Sequence, residues 1–333
     1  MPLESAPDLP AIPPRRRWFR LALTWCIGLG LLAWLLSLAG VERVLPAMQQ
    51  AGIGVWLVTI GGLLFSYGLR AARLQVVTGL GPGRTSSARI LGVRSDVLRV
   101  ILMHNAAVNL LPMRAGELSF PWLASRHLGL SVARALACLL WMRVQDLAVL
   151  MVLGLLWWPA LPWWQKGLAL LGLIAGWMLA SRMVAGRLQA SPVTGNGWRA
   201  RLGRLRDAVL EPDHHRPLAW LLTAANWLLK LAVGAVLLSA ISGQSWMTAW
   251  FGALGGELAA VLPVQGPAGF GTYEAGVWLG FAASMADGAA ALATILPAAL
   301  ALHACFLVCA VLAGGLASLL GASPVVSPHE SSH

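Results

Sequence analysis

Apolar residues run in blocks of about twenty along most of the chain, separated by short polar stretches rich in arginine. A helix needs roughly 20 such residues to cross ~30 Å of hydrocarbon. The pattern predicts full spans at residues 21–39, 53–72, 136–158, 167–185, 219–242 and 289–318. Two further apolar regions, 97–112 with 118–128 and 246–262 with 275–286, are each split in the middle. The first split reads Leu111-Pro112-Met113-Arg114-Ala115-Gly116-Glu117. The second reads Leu262-Pro263-Val264-Gln265-Gly266-Pro267-Ala268-Gly269-Phe270-Gly271-Thr272-Tyr273-Glu274. Each passes through Leu-Pro and glycine and restarts behind a glutamate. Roughly 15 helical residues rise only ~23 Å, short of the hydrocarbon thickness, so each pair is read as a re-entrant hairpin. If the pieces cross instead, the chain has eight spans.

The fold expected is therefore all-α, a polytopic helical membrane protein with about six full spans and two broken hairpins. A single transmembrane domain covers residues 21–320. Residues 1–20 and 321–333 are expected to be cytoplasmic tails, the latter disordered, because their proline-rich polar composition cannot bury enough apolar surface.

Composition agrees with the pattern. Apolar residues make up 58% of the chain and charged residues 11%, against roughly 25% charged in a soluble domain. The apolar run behind Arg15-Arg16-Arg17 is longer than a secretory h-region, so it is read as an uncleaved first span. The net charge of +11 rests on 24 basic residues, of which only Lys166 and Lys230 are lysines. No aromatic-basic platform accompanies this charge, which argues against a nucleic-acid partner. Cys26, Cys138, Cys305 and Cys309 lie in apolar runs and read as small hydrophobes. Their spacing matches no zinc site, and neither a metal nor another cofactor is expected.

The arginines fall in groups before the first predicted span, after the second, after the first hairpin and across 182–218. All four groups face the cytoplasm if the N-terminus is inside and the first hairpin dips in from that side. The short loops near 40–52, 159–166 and 243–246 then lie outside. The second hairpin must enter from the outer face, opposite to the first. Broken elements entering from opposite faces are what an inverted repeat produces, and they point to a transporter's binding site.

Charge inside the bilayer is costly and should face a protein interior or a wet cavity. Arg143 and Asp146 are neighbours on one helix face and could form a structural pair or hold a phosphate through the guanidinium fork. Lys230 has Glu257 as a candidate partner. Glu117 and Glu274 stand where helices restart, where an acid stabilises the helix N-terminus, and where free N–H groups also suit an anionic ligand. Asn105 and Asn109 share a face of the helix entering the first break. Gly266, Gly269 and Gly271 make the second break too Gly-rich for continuous helix. His303 reads as a packing residue.

The run from Asn109 through Leu-Pro to Gly-Glu117, then Arg143-x-x-Asp146, then Leu262-Pro263 leading to Tyr273-Glu274, resembles the lysylphosphatidylglycerol synthase transmembrane region, or flippase-like domain, family. The resemblance covers about residues 20–320. It implies a bacterial inner-membrane domain that moves lipids between leaflets, without the soluble aminoacyl-transferase of two-domain members. Where many relatives carry a basic residue shortly after Gly-Glu, this chain has Ser119-Phe120-Pro121.

The expectation is thus a lipid translocase with no chemistry of its own and with membrane lipids as partners. It would bind an anionic or lipid-phosphate head group in a mid-membrane polar cavity. The site residues are Arg114, Glu117, Asn105, Asn109, Arg143, Asp146, Glu257, Gly266, Gly269, Gly271, Tyr273 and Glu274. Two other readings stay open: an integral-membrane enzyme acting on a lipid phosphate or lipid-linked sugar, and an accessory anchor for a glycosyltransferase or lipid-modifying partner.

Overall fold

The computed structural model describes residue 26 and residues 29–80, 89–90, 92–111, 116–158, 161–188, 216–261, 265–285 and 292–320. The expected tails and Arg114 lie outside the described residues. The helices are α1 (Leu29–Ala39), α2 (Val41–Gln50), α3 (Gly52–Val77), α4 (Ser95–Leu110), α5 (Ser119–Leu128), α6 (Val132–Trp157), α7 (Trp163–Leu188), α8 (Pro217–Ser242), α9 (Trp246–Val261), α10 (Thr272–Ser284) and α11 (Leu292–Leu319). A two-residue antiparallel ribbon, β1 (Arg89–Ile90) with β2 (Val93–Arg94), sits between α3 and α4. The protein is all-α in the sense expected.

Among the described residues α3, α6, α8 and α11 are long and apolar enough to cross a membrane, and α1 with α2 adds a fifth span if that bent pair counts as one. Helix α7 covers the span expected at 167–185. Two expectations need correction. The outer loop expected near 40–52 is mostly the helix α2, which turns 78° from α1. Its polar Glu42, Gln49 and Gln50 are exposed while Val44 is buried, the two-sided pattern of a helix lying along an interface. Helix α3 also runs to Val77, five residues beyond the expected end. This puts Arg73 on the same helix as Arg70, inside the bundle instead of in a loop.

Both broken hairpins are present. At 16 residues each, α4 and α9 rise only ~24 Å, and α9 folds back flat along α10. Small residues permit that approach, as is usual between membrane helices. A Cβ on Gly276 or Gly280 would run into backbone carbonyl oxygen of the facing helix, at Gly255 and Phe251 respectively. Gly116 lies in the same way against the backbone of Ala107, bringing the end of the first break onto α4.

Helix α6 fixes the direction of the two hairpins. At its start Arg134 donates to the carbonyl of Thr78, just past α3. That is the end from which α4 departs, since Gln75 on α3 accepts from the Arg94 N–H ahead of it. At the far end of α6, Trp157 packs on Trp246 and Trp250 at the start of α9, with ring centroids 6.3 and 5.8 Å away. The two hairpins therefore begin at opposite ends of α6, as the arginine distribution predicts.

Helix α11 is the most enclosed of the four clear spans, with 72% of its apolar window buried against 22% for α3. It touches α4, α10 and α8, and α3 packs along α8. These four contacts bring the polar residues of both hairpins toward one interior.

Candidate functional site

The interior holds two polar groups joined by an indole. The first is built on α3, α4, α6 and α8 around Asp146. Arg73 Nη1 lies 2.5 Å from Asp146 Oδ1, with side-chain exposures of 5% and 3%. The same guanidinium donates to Thr223 at 3.0 Å, and the Trp227 indole N–H donates to Asp146 at 2.9 Å. Ion pairs cut off from water survive only when their remaining valences are satisfied. Asp146 meets that condition by drawing on three helices.

Arg143 reaches Asp146 at 3.5 Å, but its closer partner is Glu117 at the end of the first break. The expected Arg143–Asp146 pair is thus the weaker contact of each residue. Arg70 donates to the Asn105 side chain at 2.8 Å, and Asn109 donates to the Asn105 carbonyl at 2.8 Å. His104 is hydrogen-bonded to Ser119 at 3.1 Å and ties α4 to α5. The group holds three arginines, Arg70, Arg73 and Arg143, against the carboxylates of Asp146 and Glu117.

The second group surrounds a cavity of about 90 Å³, room for several waters. Asn109 and Leu111 reach it from the first hairpin, and Gln265, Gly266 and Gly269 from the second break. Glu257 faces it from α9 with Lys230 of α8, the two 2.6 Å apart. Tyr273 and His303 complete the polar wall. Lys230 Nζ also lies 5.3 Å from the centroid of the Trp227 ring, and Arg70 Cζ lies 5.8 Å from it. Trp227 thus touches a cation of each group while bonding Asp146, a favourable use of the ring face where water is scarce.

The second break is held in a specific shape. Glu274 accepts the Gly271 N–H at 2.7 Å, the helix-start role expected of it. Its other oxygen meets His303 Nδ1 at 2.6 Å, and His303 Nε2 meets the Ala268 carbonyl at 3.0 Å. Ala268 is the one non-glycine residue with positive φ among the described residues, at 53°, a conformation that costs roughly 1–2 kcal/mol. Gly269 follows at φ 86°, where a Cβ would be strained and would stand 3.4 Å from the imidazole. His303 is therefore a tie between α11 and the break, which corrects its reading as a packing residue.

The site residues read from the sequence divide between the two groups. Asn105, Glu117, Arg143 and Asp146 join the arginine group. Asn109, Glu257, Gly266, Gly269 and Tyr273 line the cavity, while Glu274 and Gly271 shape the break behind it. Glu117 does not line the cavity. Arg70, Arg73, Trp227, Lys230, Gln265 and His303 were missing from that set, although Lys230 reads from the sequence as the candidate partner of Glu257. The signal for the first two was the series Ser66, Arg70 and Arg73, spaced four and three apart along one helix face with no breaker before Val77. The buried amides of Gln145 and Asn226 have no partner among the described residues, and each precedes a member of the Asp146 group. No cluster of three or more metal-binding side chains occurs among the described residues.

No curated protein and no solved structure matches the chain. The family model described as lysylphosphatidylglycerol synthase TM region matches residues 18–318. With that match, the chain belongs to the lysylphosphatidylglycerol synthase transmembrane region family and is a multi-pass membrane protein of the lipid-modification or flippase-like kind.

Proposed function

We propose that the protein is a lipid translocase of the bacterial inner membrane, with no chemistry of its own, and that the head group crosses through the polar interior between the two hairpins. The observation that carries this reading is the convergence of both breaks on one cavity, Asn109 and Leu111 from one side and Gln265 and Gly266 from the other. Unwound backbone at membrane depth is tolerated where it lines such a cavity, and paired broken helices are the usual substrate site of a transporter.

Charge divides the work. Three arginines against two carboxylates leave a positive excess around Asp146, while Lys230 is matched by Glu257 and, among the described residues, no unpaired cation lines the cavity. A lipid phosphate is best served at Arg143, whose side chain is 30% exposed whereas that of Arg73 is 5% exposed. The guanidinium fork suits that anion.

The test is leaflet-resolved lipid movement in proteoliposomes. Arg143→Ala and Glu117→Gln are each expected to slow it by about ten-fold or more, the scale of one lost charge-assisted contact. Unchanged rates in both would remove these residues from the site, and wild type no faster than empty liposomes across a broad lipid panel would remove the translocase. The orientation proposed has the N-terminus in the cytoplasm. Cysteine introduced at residue 243 is expected to label from outside and at residue 84 from inside, and labelling of both from one side would overturn it.

A further inference from the structure

We propose that His303 and Glu274 form a proton-binding site in which one bound proton latches the second break onto α11 and loss of that proton releases it. The purpose of such a latch rests on the translocase reading; the proton site itself does not.

The argument is a count of protons. The Ala268 carbonyl can only accept, so His303 Nε2, 3.0 Å away, carries a hydrogen. Glu274 Oε2 already accepts the Gly271 N–H. Between His303 Nδ1 and Glu274 Oε1 the separation is 2.6 Å. A neutral imidazole with hydrogen on Nε2 presents a lone pair there, and a carboxylate presents another. Two lone pairs do not rest that close without a proton between them. Whether that proton sits on nitrogen or oxygen, the pair holds one and is neutral overall, the state that a buried site tolerates. Without it, the neutral imidazole has one hydrogen for two acceptors: on Nδ1 it still meets the Glu274 carboxylate but turns a lone pair on the Ala268 carbonyl, and on Nε2 it holds Ala268 but faces the carboxylate with a lone pair, so one of the two ties fails.

The mechanical consequence is local. The same imidazole that shares the proton holds Ala268, stands beside Gly269 and is flanked by the rings of Phe270 at 4.7 Å and Tyr273 at 5.2 Å. If the ring turns away, the left-handed backbone at Ala268 loses its tie, and the Gln265–Gly266 wall of the cavity loses its footing. Because His303 itself lines the cavity, protons reach it from there.

Among the described residues, the polar groups around the pair come from α4, α8, α9, α10 and α11. From α8 and α9 come Lys230 and Glu257, paired with each other. Helix α10 supplies Tyr273, beside which Cys305 of α11 lies, and α4 supplies the amide of Asn109. Helices α1 and α2 pack on Phe270 through Leu35, Ala39 and Val44. Closure therefore takes up a proton and opening gives one back, so a pH difference across the membrane biases which state the second break occupies.

The experiment reads the break directly. In a Cys26→Ser background, which removes the exposed thiol and leaves the buried ones, Gln265→Cys is labelled with maleimide from about pH 5.5 to about pH 9. The rate is normalised to Ser245→Cys, an exposed control. Relative labelling of wild-type sequence is expected to rise about ten-fold as pH increases, the scale of a modest shift between two states. Glu274→Gln replaces the shared proton by an amide N–H facing Nδ1 while its oxygen still accepts from Gly271. It is expected to label slowly at every pH. His303→Ala is expected to label rapidly at every pH. Flat labelling in the wild-type sequence, or fast labelling in Glu274→Gln, overturns the latch. Neither readout needs a lipid, so a latch that works in a protein that moves no lipid, and lipid movement with flat labelling, are separate results.

Discussion

Arg73→Met is expected to lower the stability of the protein by about 3–5 kcal/mol, the usual loss when one member of a buried ion pair is removed. The carboxylate of Asp146 would remain 2% exposed, with the Trp227 N–H and the more distant Arg143 as its remaining partners among the described residues. Since Asp146 joins α3, α6 and α8, the damage should appear as loss of the whole bundle and not as local fraying. The measurement is thermal unfolding in a fixed detergent, comparing Arg73→Met, Asp146→Leu and the double variant. Removing both charges should recover much of the loss, because well-packed apolar replacements of a buried pair are often neutral. A double variant as unstable as the sum of the singles would show that the pair is not the source of the effect.

The second large effect is expected at Gly280. A Cβ there would press on the Phe251 carbonyl, and backbone cannot give way as a side-chain tip can. Valine in its place should force α9 and α10 apart. Overpacking of this kind typically costs about 1–3 kcal/mol and sometimes more, and here lipid movement should fall with it because the same two helices frame the second break. Gly172→Val is the control, on an open part of α7 with nothing within 4 Å of the added carbon. It should change neither unfolding temperature nor lipid movement. Equal effects at the two positions would remove the hairpin contact as the cause.

Much of this architecture was legible in one dimension because the bilayer simplifies the reading. Leu-Pro followed by glycine ends a helix wherever it falls, and a half-length apolar run has few options in hydrocarbon, so both hairpins and their opposed directions followed from residue order and arginine placement. Glu257 with Lys230 was legible for a related reason, as two lone charges in apolar runs need each other. The misses share a cause. Arg70 and Arg73 lie next to a real cluster of loop arginines, and charge alone does not say whether α3 stops at residue 72 or turns once more with its arginines facing inward. His303 lies in the most apolar helix, and its partners are 29 and 35 positions away. No local spacing encodes such contacts. The helix at Val41–Gln50 was hidden by Pro46 and by polar residues that suit a loop as well as an interface.

The backbone-to-backbone seam between α9 and α10 has one more implication. Helices in contact through glycine cannot slide or flex independently, so the second hairpin moves as a single lever. Among the described residues, Lys230–Glu257 on α8 and His303–Glu274 on α11 are polar points that bolt it to the rest of the protein, one to each neighbouring helix. If the protein moves lipids as proposed, tilting this hairpin would strain both ties, and the order in which they let go would time the movement.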